Sequence, residues 1–361
     1  MKASMTFEQM SSEVLRQYAL KKDYIQDTRR LEMVDDGYGT VMRMMGDDGI
    51  DMVEPMDINS GAHRQIGTHC GIPYKYYDRM RASNNELLAE NVNSWFNLEP
   101  EQRMVRTLDG TVRAFLSNRY RRIDHLDIMN AVLPIIGEIP NISFVSCDIS
   151  DSKMFIKAIN PNLQTEITPG DVVQSGIVIS NSETGQGRVS VQPLIYRLVC
   201  LNGMVSQNLG VARNHIGRIN STDENNLLYK DDTLLADDRA LMLKIRDSVR
   251  AAVDEVMFES IVDTLREAKT VRMDTSDIPA VVRLSSRQFG LHDSEGEGVL
   301  NRLIETGDFT LYGLANAVTR HSQDVEDYER ASDLEGIGYE MVTMSPVLWN
   351  RINRPATAAA A

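Results

Sequence analysis

The run P-L-I-Y-R-L-V-C-L-N-G-M-V-S-Q-N-L-G-V-A-R-N-H, from Pro193 to His215, decides how the chain is read. Its apolar, β-branched and aromatic residues predict a strand over 194–201. Asn202-Gly203 favours positive φ and predicts a tight turn there. A second apolar piece follows, ending at Arg213 and His215. Within the strand stands Arg197. A cation among core residues is costly unless it is paired or reaches a polar surface. Arg197 is therefore expected to be structural first, with Arg213 and His215 as further polar candidates.

Outward from this run, the same patterning predicts strands over 142–147, 153–159 and 172–180, with a return over 189–200. A loop is expected over 161–170. N-S-E-T-G-Q-G, over 181–187, reads as a hairpin tip, with Gly amides and Arg188 that could touch a phosphate backbone. It has neither the Lys-Ser/Thr of a P-loop nor a G-x-G-x-x-G fingerprint. Further upstream, 105–108 and 112–116 flank Asp109-Gly110, a short-range hairpin signal. Arg103, Arg106, Arg113, Arg119, Arg121 and Arg122 make this the most basic window of the chain. Strict alternation places Arg106 with Leu108 on one side and Val105 with Thr107 on the other. Such a hairpin offers cations along one face and Tyr120 at its end; the alternative is an exposed hairpin with solvated arginines.

Helical spacing covers 7–19, with Thr6 and Gln9 as a capping box, and 124–136, with Asp124 as cap. Tyr74, Tyr76 and Tyr77 mix with Lys75, Arg79 and Arg81 in a short helix, as either a stacking surface or a helix with tyrosines on its core side. From 237 to 269 the chain predicts a long acidic amphipathic helix, with more helices beyond. The fold class expected is α+β: a central, mainly antiparallel sheet with a basic hairpin and packed helices, then an acidic helical C-terminal region. The divisions expected are an N-terminal extension (1–59), a central domain (60–220), a helical region (221–350) and a disordered tail (351–361).

The net charge of −14 argues against nucleic acid, yet it is uneven. Residues 60–220 hold 16 Lys+Arg against 14 Asp+Glu, so the acid lies in the flanks and a basic groove can survive in the centre. Three widely spaced cysteines do not make a disulfide framework. No apolar run reaches the roughly 20 residues of a membrane span, and the N-terminus lacks an apolar signal core. A protein of the bacterial cytoplasm, off the membrane, is expected.

R-L-V-C-L-N-G-M followed by R-N-H resembles the phage/plasmid-like family catalogued as domain of unknown function 932. R-A-F-L-S-N-R-Y-R-R-I-D-H, from Arg113 to His125, and G-L-A-N-A-V-T-R, from Gly313 to Arg320, resemble the same family. The resemblance spans residues 56–338. It implies a phage or mobile-element setting and brings no established reaction, cofactor or catalytic residue. By element order and basic hairpin the chain is also similar to single-strand annealing recombinases. The function expected is non-catalytic binding of single-stranded DNA in recombination or replication. The chain would act as a homo-oligomer, with a phage exonuclease or single-strand binding protein as a partner.

Two other classes stay open. An enzyme reading draws on Cys200 with His215 as a nucleophile pair, on His69, Cys70, Cys200 and His215 as a zinc set, or on Asp148, Asp151 and Asp171 as nuclease carboxylates. No C-x-x-C or H-x-x-x-H spacing supports the zinc set, so neither metal nor cofactor is expected. The third class is an acidic interaction protein that counters a host defence.

Overall fold

The computed structural model describes residues 2, 4–46, 49–206, 211–213, 231–274 and 276–353. Helix α1 (Phe7–Leu20) starts from the Thr6/Gln9 capping box. Strands β1 (Lys22–Asp27), β2 (Leu31–Asp35), β3 (Thr40–Met44) and β4 (Met56–Ile58) precede helices α2 (Ser60–His69), α3 (Tyr74–Ser83) and α4 (Asn85–Leu98). The hairpin of β5 (Gln102–Leu108) and β6 (Thr111–Ser117) turns on Asp109 and Gly110, both at positive φ, 50° and 74°, as a two-residue hairpin loop of the I′ kind requires. Then come α5 (His125–Gly137), β7 (Ser143–Ile149), β8 (Met154–Glu166), β9 (Val172–Asn181), β10 (Val189–Arg197), β11 (Asn202–Val205) and β12 (Val211–Arg213). The C-terminal part is helical: α6 (Asp231–Ala252), α7 (Glu255–Thr270), α8 (Ile278–Phe289), α9 (Asp293–Thr306), α10 (Leu311–His321), α11 (Tyr328–Val342) and α12 (Pro346–Asn353).

The fold is α+β and mainly antiparallel, with two sheets where one was expected. The first has the order β1-β5-β6-β4-β3-β2, antiparallel except where β4 runs parallel to β6. Residues before 59 therefore supply four of its six strands, and the expected N-terminal extension is an integral part of a sheet. Helices α2 to α4 cover it through Ile66, Leu88, Val92 and Phe96, against Met33, Met42, Val105 and Phe115. The second sheet runs β11-β10-β9-β8-β7, with β12 also on β10. Alternation sends Ile156, Ile177, Ile179 and Val191 to one face, where α1, α5 and α6 bury them with Met10, Val132 and Ile245. Helices α7 to α12 build a third core and take in Val173, Ile195 and Met204 from one end of the same sheet.

Several local expectations change. The turn after β10 falls at residues 198–201, with Leu201 at φ 52°, and Asn202-Gly203 already belongs to β11. Asn202 is buried, and its amide donates to Asn316 Oδ1 at 3.2 Å and to Thr319 Oγ1 at 2.5 Å on α10, which pulls it into the sheet. Strand β8 continues to Glu166 through an irregularity between Asn160 and Gln164, replacing the first part of the expected loop. The helix expected over 237–269 is two helices, because the Asp254 carboxylate takes the amides of Val256 and Met257 and caps a new start. Residues 351–353 are helical, and the remainder of the expected tail lies outside the described residues. Among the described residues no helix is long and apolar enough to cross a membrane.

Two buried histidines tie stability to pH. His63 lies against the Tyr77 hydroxyl at 2.9 Å, and burial, aided by Arg81, lowers its pKa to about 3. Burial also lowers His125, to about 4, against the opposing pull of Glu183. Both are neutral in the fold and titrate near 6.5 when unfolded, so below that pH the unfolded chain binds more protons. The stability they confer is full above about pH 6.5 and is lost as pH falls toward 4 and then 3. The melting temperature should drop steadily between pH 7 and pH 4.5; a flat profile over that range would contradict the burial of these rings.

Candidate functional site

The basic hairpin is mostly turned inward. Arg106 is fully buried: its guanidinium meets Asp23 at 2.7 and 3.2 Å, Asp124 at 2.9 Å and the Glu183 carbonyl oxygen at 2.7 Å. Both faces of β5 are covered, Met104 by one cluster and Val105 by another, so Met104 to Thr107 are all buried, with a register shift between Arg106 and Thr107. Arg113 is also buried and donates to Glu183 Oε2 at 2.5 Å. Arg103 lies over the Phe115 ring and near Glu101. An exposed row of phosphate contacts along this hairpin is thus not what the fold builds: Arg106 and Arg113 are held inside by carboxylates.

The first half of the expected hairpin tip is buried too, while Gly185 and Gln186 are exposed. Asn181, Ser182, Glu183 and Thr184 are all inside. Besides Arg113, the Glu183 carboxylate accepts the His125 backbone amide at 2.7 Å and lies 3.9 Å from the Lys21 ammonium. Burial raises its pKa, but the Arg113 and Lys21 cations and the His125 backbone amide outweigh that, and the pKa falls to about 2. Gln65 of α2 donates to the Thr184 carbonyl at 2.7 Å and accepts the Phe115 amide at 2.7 Å, linking the loop to β6. Gly185 has φ +73°, and a Cβ there would lie 2.7 Å from Leu116, so this close approach needs glycine.

The remaining candidates are dispersed. Arg121 pairs with Asp237 at 2.6 Å and Arg122, largely exposed, with Asp23 at 3.4 Å. Arg119 and Arg188 are exposed, and no described residue pairs with either side chain. Tyr120 packs on the Met104, Ala114 and Leu116 cluster, with its hydroxyl 3.4 Å from the Ser182 carbonyl. Arg197 makes a two-point contact with Asp171, at 2.6 and 3.0 Å, and donates to Cys200 Sγ at 3.3 Å. Tyr312 adds a hydrogen bond to Asp171 at 3.1 Å. Arg213 contributes backbone to β12; its side chain, and all of His215, lie outside the described residues. Of the tyrosines on α3, Tyr77 is core, while Tyr74 and Tyr76 are exposed, with Arg64 over the Tyr74 ring.

The zinc set is not assembled among the described residues. Cys70 is buried in the first sheet's core, His69 lies near Phe96 and Phe115, and Cys200 sits beside Arg197 in the second sheet. Asp148 and Asp171 are at opposite ends of β8, the former accepting from Ser4, so the carboxylate trio is dispersed as well.

One cleft of about 520 Å³ does collect candidates. It lies on the second sheet's face opposite α1, α5 and α6. Phe155, Val178, Ser180, Ser190 and Gln192 form its floor; residues 185–188 with Tyr120 make one wall, and Ser332 and Asp333 of α11 the other. Lys153 stands at the rim and pairs with Glu329 at 3.1 Å. Beneath α11, buried Lys157 donates to Glu335 Oε2 at 2.7 Å and to Ser332 Oγ at 2.9 Å. The sequence held a signal for Lys157 that went unread: M-F-I-K-A-I sets one cation in an apolar strand, as at Arg197.

A family model described as Domain of unknown function (DUF932) matches residues 114–337, and the chain belongs to that family. No curated protein and no solved structure matches the chain. The matched span runs from within β6 to α11 and so contains Glu183, the Arg197–Asp171 pair and all of the cleft, while Lys21, Arg106 and Arg113, which meet Glu183, lie before it.

Removing Glu183 leaves Arg113 buried without its partner, so Glu183→Ala should destabilise by roughly 3–5 kcal/mol. Arg197→Ala should cost about 3 kcal/mol, because the pair is a little more exposed. Arg197→Lys should recover only part of that, since an ammonium cannot reproduce the two-point contact. Urea denaturation measures all three; an unchanged midpoint for Arg197→Ala would move Arg197 from the framework to a binding role.

Proposed function

We propose that the protein binds single-stranded DNA without catalysis, in the recombination or replication of a phage or other mobile element. The observation that carries this reading is the placement of Arg119 and Arg188, whose side chains no described residue engages. Arg188 lines the cleft, and Arg119 immediately precedes Tyr120, which forms part of its wall. Phosphates need exposed cations, and an adjoining aromatic wall suits a base. Arg122 stays exposed enough to join them. The binding surface of this reading is therefore the cleft and its rim, with Arg106 and Arg113 holding the scaffold behind it. One cleft spans little of a strand, so copies side by side in a ring or filament are part of the proposal. An exonuclease or a single-strand binding protein of the same element would act beside them.

Binding of a labelled oligonucleotide, followed against salt, tests this. Arg119→Ala and Arg188→Ala should each lower the salt slope by about 0.7 with unchanged melting. Arg106→Ala should lower the melting temperature instead. The absence of binding by the wild-type protein at low salt would end the proposal.

A further inference from the structure

We propose that the cleft seats a single nucleotide through its phosphate ester, held by hydrogen-bond donors that converge from the sheet, the 185–188 loop and α11. This goes beyond strand binding, because it predicts a free small ligand, and either reading can stand alone.

The argument is the direction of the hydrogen bonds already made. Lys157 is fully buried, and its ammonium only donates. Ser332 Oγ must therefore accept from it, which leaves the Ser332 hydrogen free to donate. Glu335 and the Tyr328 ring, 4.8 Å away, hold the ammonium in place. On the floor, Ser180 and Ser190 share a hydrogen bond of 2.8 Å, and Ser190 donates to Gln192 Oε1 at 3.5 Å. That chain occupies the amide oxygen and leaves the Gln192 NH₂ for a ligand. Arg188 adds a guanidinium that no described residue engages. A hydroxyl, an amide and a guanidinium thus offer hydrogens into one cleft.

A donor-rich site selects a ligand rich in acceptors, and charge-assisted bonds to phosphate oxygens are the strong case. Phe155, Val178 and Val205 provide apolar surface beside the donors, which suits a sugar and base more than a bare inorganic ion. The volume falls in the range of about 300–1,000 Å³ common for small-ligand sites. Asp333, exposed on the α11 wall, is the one acid in the lining and opposes an anion there.

Calorimetric titration of the full chain with thymidine 5′-monophosphate, thymidine, ribose 5-phosphate and inorganic phosphate tests this. The monophosphate should bind about tenfold or more tighter than thymidine, and tighter than either ribose 5-phosphate or phosphate. Ser332→Ala should weaken it about tenfold. Asp333→Asn, at an exposed position, should leave the melting temperature unchanged and tighten binding several-fold. That opposite sign separates an anion site from loss of the fold. Equal binding of thymidine and its monophosphate, no monophosphate binding at millimolar concentration, or weaker binding by Asp333→Asn would overturn the proposal. Equal binding of ribose 5-phosphate would overturn the nucleotide assignment. An oligonucleotide that binds while the monophosphate does not leaves the strand reading standing and removes this one; the reverse result removes the strand reading alone.

Discussion

The carboxylate of Glu183 is the contact on which the arrangement of the two sheets depends. It sits in a loop of the second sheet and meets Arg113 from β6 of the first, the backbone at the start of α5, and Lys21 at the end of α1. Its own carbonyl oxygen takes a hydrogen from Arg106. Burying an ion pair of this kind adds little net stability against an apolar alternative, but breaking it is expensive. Its consequence here is positional. A slip of the loop by one residue would strand Arg113 and the Glu183 carboxylate in the interior and cost Arg106 its carbonyl acceptor, so the observed docking of the sheets is the one that satisfies all of them.

The same device recurs in two other places. Lys157 on β8 meets Glu335 on α11, and Arg197 on β10 meets Asp171 just before β9, with Tyr312 of α10 on the same carboxylate. In each case the strand sends a cation outward from an otherwise apolar row. Hydrophobic burial alone would tolerate several rotations of α10 and α11 over the sheet. A charged pair with two or three defined hydrogen bonds does not, because each alternative leaves a buried charge unpaired.

Local signals were legible in the sequence because they act over a few residues. Asp109-Gly110 marked the hairpin, Thr6 and Asp124 marked helix starts, and alternation marked the strands. Arg197 was legible as a structural cation from its apolar neighbours alone. The first sheet was not legible, since it depends on pairings such as Lys22 with Thr107 and Asp57 with Thr111, which leave no trace in either stretch alone. The basic hairpin misled for a related reason. Of its counter-charges, Asp124 lies 18 residues from Arg106, but Asp23 and Glu183 lie 83 and 70 residues from Arg106 and Arg113, so counting charge within the window could not reveal that both were already neutralised. The turn after β10 moved because Asn202 is claimed by Asn316 and Thr319, more than a hundred residues on.

The cleft follows from these constraints. Strands β8 to β10 have one face covered by three helices, where Ile156, Ala158, Ile177, Ile179, Val189 and Val191 are buried. The other face changes character along its length. Where α11 lies over it, Lys157 and Phe155 meet Glu335 and Tyr328. Past Ser332 and Asp333 the floor turns to Ser180, Ser190 and Gln192. The β9–β10 loop walls these residues on one side through 185–188, while its Glu183 is held toward the hairpin by Arg113. Serine and glutamine suit a floor left wet, since their polar groups keep water or a ligand as partners. The buried Glu183 carboxylate thus joins the sheets while the cleft over Ser180, Ser190 and Gln192 stays open.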